Sequence, residues 1–192
     1  MTKAIEELKR DHALIKRTLA VIDGMLGDGQ RPDRLQPEAL RQAIDFVRGF
    51  AERCHQAKEE RALFPLLAAK NETIARGPVH MLEAEHEAGH VLISELEAAL
   101  PGLEAGETRA QKQATRALLL FSRMLRRHIA KEDDILFPLA AALISEAEAA
   151  HLAREIEAVQ EEVGPDAYAT FAALVESLER SAGLTVSSGR AY

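Results

Sequence analysis

The chain has 192 residues, enough for one well-buried domain, with 47% apolar residues, 29% charged residues and a net charge of −7. That acidity argues against nucleic acid as a partner, since phosphate binding needs clustered Lys and Arg. A single cysteine, Cys54, rules out an intrachain disulfide, and no apolar run approaches the roughly 20 residues that span a bilayer. The start, Met1-Thr2-Lys3-Ala4-Ile5-Glu6-Glu7, is acidic and amphipathic without a signal-peptide core, so the expected compartment is the cytoplasm.

Ala, Leu, Glu and Arg dominate, and these side chains lose little rotamer freedom on a helix. The first helix begins near Thr2. Its apolar residues Ile5, Leu8, Ile15, Leu19, Ile22 and Leu26 recur in steps of three and four with one gap, and His12 fills that gap on the buried seam. Gly24 and Gly27-Asp28-Gly29, followed by Pro32, end it. A second helix starts around Pro37 and runs towards Ala69, and Asn71 with Gly77-Pro78 marks the turn that follows.

The third helix, about 79–100, carries Val79, Leu82, His86, Gly89, Ile93, Leu96 and Leu100 at the same spacing, closed by Pro101-Gly102 and Gly106. The fourth, about 108–143, aligns Phe121, Leu125, His128, Glu132, Ile135 and Leu139. Long amphipathic helices with short connections define an all-α, up-down-up-down four-helix bundle over residues 1–143. Residues 144–182 form a C-terminal extension of short helices, broken at Gly164-Pro165 and packed on the bundle or on a partner. Residues 183–192 read as a flexible tail.

The chemistry lies in a repeat. Residues 54–69 read CHQAKEERALFPLLAA and residues 127–142 read RHIAKEDDILFPLAAA, so His, Ala-Lys-Glu and Leu-Phe-Pro-Leu recur 73 positions apart. Each copy has an acidic residue and a seam histidine upstream, Asp11-His12 and Glu85-His86. Positions i and i+4 share a helical face, so His55 points with Glu59 and His128 with Glu132. With His12 and His86, every helix sends a donor to the bundle axis. An apolar core penalises unpaired imidazole and carboxylate, and metal ions remove that penalty. Two carboxylates and several imidazoles in a bundle core are the makings of a dinuclear site.

These motifs, His12 in Asp-His-x-x-Ile, the two His-x-x-x-Glu…Leu-Phe-Pro segments and Glu85-His86, resemble the hemerythrin-like, or HHE cation-binding, family over residues 1–143. The resemblance implies a four-helix bundle holding two non-haem irons, bridged by an oxygen and two carboxylates. It also implies interaction with dioxygen, nitric oxide or peroxide, or a part in iron and redox homeostasis. The ligands carried over are His12, His55, Glu59, His86, His128 and Glu132.

His90 follows His86 by one turn, a spacing that true hemerythrins use for a further ligand, and it is expected as a seventh. Its counterpart in the repeat is Lys16, so the duplication does not demand it, and the alternative is an outer donor or a rim residue. Glu60 and Asp133 adjoin the two glutamates and are alternatives to them; Glu59 and Glu132 are the simpler choice. His80 and His151 fall off the seam. Phe64-Pro65 and Phe137-Pro138 should kink each helix or end its regular part. Nothing supplies a nucleophile with its base or a dinucleotide loop, so the reading is not a metabolic enzyme, weak peroxidase-like or oxidase-like turnover aside. The rival reading is a signalling or interaction protein in which metal loading orders the bundle for a partner, a second copy or another protein, at the C-terminal helices.

Overall fold

The computed structural model describes residues 2–27 and 35–182. The expected turn at Asp28, Gly29 and Pro32 and the expected tail at 183–192 lie outside the described residues. All described elements are helical. Helix α1 spans Lys3–Leu26, α2 residues 37–70, α3 residues 72–104 and α4 residues 108–143, followed by α5 (Glu146–Val163) and α6 (Ala167–Ser181). The first four form the closed bundle: α4 packs against α1 and α3, and α2 against α1 and α3. Helices α5 and α6 lie across α1 and α2. Among the described residues no helix is long and apolar enough to cross a membrane.

The helix ends carry the local signals that set them. Thr2 Oγ1 accepts from the Ile5 backbone N–H, and Ser145 with Glu148 forms a reciprocal capping box at the start of α5. Gly27 and Gly164 sit at φ 65° and 132°, which a side chain would resist, and each closes a helix. Asn71 breaks the chain at φ −160° and accepts from the Thr73 N–H.

Gly77-Pro78 does not make the expected turn. Residues Ala75–Val79 form a wide, π-helical turn that runs straight into the long segment beginning at His80. Pro78 lies inside that turn, where the wider π-helical spacing makes room for its ring. Pro101 likewise stays inside α3, which continues to Glu104 before Gly106 ends it. The two Phe-Pro segments interrupt the regular α-helix without stopping it. Each is preceded by a π-helical turn, Glu59–Leu63 and Glu132–Leu136, in which the Phe64 and Phe137 N–H groups bond back to the Glu59 and Glu132 carbonyls. One extra residue in the turn relieves the clash between the proline ring and the preceding carbonyl.

The apolar interior is divided in two. One cluster joins Ile15, Leu19, Phe46, Phe50, Leu96, Leu118 and Phe121. The other joins Ile5, Leu8, Leu63, Phe64, Leu82, Leu136 and Phe137, with Leu152 and Ile156 of α5. A layer of buried polar side chains separates them. Helix α6 docks by its Phe171 ring, which packs against Phe46 and Phe50. That ring fills the space where a side chain at Gly49 would stand.

Candidate metal centre

The polar layer is built one donor per turn. His12 on α1, His55 and Glu59 on α2, His86 on α3, and His128 and Glu132 on α4 are all buried, the two glutamates completely. Their donor atoms form two sets, His12 with His55, Glu59 and Glu132, and His86 with His128, Glu59 and Glu132. Within each set the atoms lie within 4.8 Å of one another. Both carboxylates belong to both sets, the arrangement that lets each carboxylate span two ions.

The distances show donors converging rather than bonding. His12 Nε2 is 3.1 Å from Glu132 Oε2, and His128 Nε2 is 3.0 Å from Glu132 Oε1. Glu59 Oε2 lies 3.6 Å from Nε2 of both His55 and His86. All four carboxylate oxygens of Glu59 and Glu132, together with His12 Nε2, are buried without a hydrogen-bond partner. Such orphans are rare in folded proteins and call for an explanation. A cation among them satisfies every one, and the mixed imidazole and carboxylate set suits a transition metal.

The outer partners set the tautomers. His12 Nδ1 donates to Asp133 at 2.9 Å, His86 Nδ1 to Glu60 at 2.6 Å and His128 Nδ1 to Glu85 at 3.0 Å. An ionised carboxylate can only accept, so the proton sits on Nδ1 and the Nε2 lone pair faces inward. The result is that His86 and His128 present Nε2 atoms to each other at 3.1 Å. His55 Nδ1 is 3.7 Å from Asp11, close but beyond a hydrogen bond. Behind these carboxylates stand lysines: Lys58 bonds Asp11 at 2.9 Å, Lys16 bonds Asp133 at 2.6 Å, and Lys131 bonds Glu85. The rings are also clamped from the side, His12 by Phe137 and His86 by Phe64, with centroids 5.2 and 5.8 Å apart. Each Leu-Phe-Pro segment thus braces the seam histidine of the other copy.

Electrostatics without a metal register the strain of this packing. Burial and the neighbouring Glu132 push the Glu59 carboxyl well above the usual range. Burial opposes ionisation of Glu132 as well, yet the His12 and His128 rings hold it below the usual range. Burial drives His55 down to about 4, which keeps its ring neutral, the form that ligates metal.

The structure therefore brings six of the expected residues together. His90 stands apart: it belongs to neither donor set, is 38% exposed, and its Nε2 faces Gln56 Oε1 at 3.1 Å. It shares a face with His86 but sits one turn further along α3, beyond the layer, where Gln56 captures it. Glu60 and Asp133 serve as partners of His86 and His12 rather than taking the place of the glutamates. His80 and His151 are exposed. The lysines and the roles of Asp11, Glu85, Phe64 and Phe137 were not assigned from sequence; the signal was present for all but Lys16, since Lys58 recurs as Lys131, Asp11 as Glu85 and Phe64 as Phe137.

Fold and site together define a helical bundle with a buried, duplicated His/carboxylate metal-binding centre. Residues 3–140 match the family described as hemerythrin HHE cation-binding domain, and the chain belongs to that family. It is also similar to uncharacterized proteins of Mycobacterium bovis and Mycobacterium tuberculosis, 27% identical over 184 residues, covering 94% of this chain and 71% of theirs. No solved structure matches it significantly.

Proposed function

We propose that this hemerythrin-like chain holds two non-haem irons that share Glu59 and Glu132, and that it binds or senses dioxygen, nitric oxide or peroxide, with iron and redox homeostasis as the setting. The observation that carries this is the pair of four-donor sets with two carboxylates in common, buried and otherwise unsatisfied. His12 and His55 would hold one ion, His86 and His128 the other. Bound iron supplies the electrons and the vacant coordination that a small oxidant needs. The protein's own part is to hold three Nε2 lone pairs inward through outer carboxylates, to keep the His55 ring neutral by burial, to place two carboxylates between the two donor sets, and to exclude water with Phe64, Phe137 and the two apolar clusters.

The alternative, metal loading that orders the bundle for a partner, has less support. The apolar residues of the C-terminal helices, Leu152, Ile156, Val159, Val175 and Leu178, are already buried against the bundle. Iron content per chain, together with the visible spectrum of the reduced protein before and after exposure to air, tests the proposal. Two irons and a new near-ultraviolet charge-transfer band in air are expected. One metal or none, with no change in air, overturns it.

A further inference from the structure

The repeat that shapes the interior stops at the surface. Helices α5 and α6 lie over the groove between α1 and α2. The stripe Arg10, Leu14, Arg17 and Val21 on α1 faces them. Arg17 bonds Glu179, the Arg10 guanidinium stands 4.5 Å from the Tyr168 ring centre, and Leu14 and Val21 are buried. The offset of 74 positions that relates His12 to His86 carries this stripe onto Ala84, Ala88, Val91 and Glu95 of α3, all four of them exposed. Likewise Ala62 on α2 is buried, whereas its counterpart Ile135 on α4 is 60% exposed. The α3/α4 groove thus repeats a covered groove, and among the described residues it has no such cover.

The bare groove is apolar along its centre and charged along its sides. The large apolar side chains exposed among the described residues are Met81, Val91, Leu120, Ile135 and Leu143, all on α3 or α4. Scattered exposed apolar residues are ordinary, but their confinement to one half of a bundle is not. A hollow of about 520 Å³ between the two helices is lined by Leu92 and Glu95 of α3 and by Arg116 and Leu120 of α4. Exposed acids, Glu83, Glu87 and Glu95, run along α3, and exposed arginines, Arg116, Arg123 and Arg127, run along α4. Glu95 and these three arginines form no ion pair among the described residues.

The charges select both the occupant and its orientation. Helices α3 and α4 run antiparallel: Glu85 is level with Lys131, Gly89 with Met124, and Gly102 with Ala110. A second copy docked face to face about a two-fold axis along the helices sets each α3 on the other α4, with every level unchanged. Glu95 then meets Arg116 of the second copy and Val91 meets Leu120 of the second copy, each contact occurring twice. A two-fold axis across the helices would instead set glutamates on glutamates and arginines on arginines, which like-charge repulsion disfavours. We infer that the α3/α4 groove is the interface of a homodimer whose two-fold axis runs parallel to the helices. Each copy covers in the other the groove whose counterpart α5 and α6 already cover.

Sedimentation equilibrium of the full chain tests this, with helicity followed by circular dichroism. A dimer is expected at a chain concentration of about 100 μM. Leu120→Asp should give a monomer of unchanged helicity. Glu95→Arg and Arg116→Glu should each raise the dissociation constant by more than about tenfold, because each sets like charges face to face twice. Mixing E95R with R116E should restore dimers of wild-type affinity, since the two reversed charges then face each other and so do the two native ones. A wild type that is monomeric at that concentration overturns the inference. So does a dimer that survives L120D, and so does a mixture of E95R and R116E that stays monomeric. If L120D folds poorly, the two charge reversals decide, since they alter exposed side chains only.

Discussion

The first half of the bundle, α1 with α2, and the second half, α3 with α4, agree at the six donor positions and differ at several of the positions beside them. His12 and His86, His55 and His128, and Glu59 and Glu132 keep their roles across the repeat. So do the next residues out, Asp133 and Glu60 on the seam histidines, and the phenylalanines beneath them. By contrast Ile15 has become Gly89, Ile129 answers to Gln56, and Lys16 to His90. Donor positions are held by coordination chemistry, which tolerates little change of atom type. The positions beside them need only fill volume, so they are where two copies can part.

The largest effect should come from the residues the halves share. Glu132→Ala removes a donor from both sets at once, and iron content should fall from two per chain to nearly none. His12→Ala removes a donor from one set, and His86→Ala from the other, so each should cost about one iron. Elemental analysis of the three variants distinguishes a shared centre from two independent ones: equal losses in all three would mean that Glu132 is not shared.

The outer lysines break the symmetry in a different way. Lys58 has no exposed surface and bonds Asp11 and Glu7, each at 2.9 Å, whereas Lys131 is 31% exposed. Lys58→Met leaves Asp11 buried without its cation and should cost about 3–5 kcal/mol in urea unfolding. Lys131→Met leaves a partly hydrated Glu85 and should cost about 1 kcal/mol or less. Similar values for the two would show that burial does not set the difference.

How much of this could be read from the chain differs between donors and surroundings. The inner six were legible because His-x-x-x-Glu recurs at a spacing that fixes a common helical face. For His90 the same rule says less: i+4 fixes a face, but not whether the next turn still reaches the layer. Glu60 and Asp133, a residue after the two shared glutamates, are turned away from the axis by about 100°. Only the packing of neighbouring helices decides that they meet His86 and His12. The prolines were seen but not the form of their effect: a wider turn ends the regular α-helix there while keeping the helix continuous. Likewise Gly49 carries no local signal; its use depends on Phe171, 122 residues away.

That contact gives the next prediction, which concerns the covered half alone. Gly49→Ala places a methyl where the Phe171 ring now lies, and the ring must move. A loss of about 1–3 kcal/mol is expected from overpacking. Hydrogen exchange should rise in α6 first, with the metal layer unaffected. Unchanged α6 protection would show that Phe171 can swing aside freely.

The smallest effect tests the polar half of the same docking. Arg17 on α1 makes two hydrogen bonds to Glu179 on α6, at 2.9 and 2.7 Å. Arg17 is 37% exposed, so solvent screens the pair, and Arg17→Leu should cost about 1 kcal/mol or less at neutral pH. The hydrogen bonds from Arg17 hold the Glu179 carboxyl below its ordinary value of 4.5. A carboxyl depressed in the folded state stabilises above its unfolded value and loses that contribution as pH falls through the folded one. The gap between wild type and R17L should therefore be constant from neutral pH down to about 5 and close as the solution is made more acidic. A gap that persists at pH 3 would assign the loss to the packing of the Arg17 stem rather than to the charge, and would leave Phe171 and its apolar neighbours as the anchor of α6.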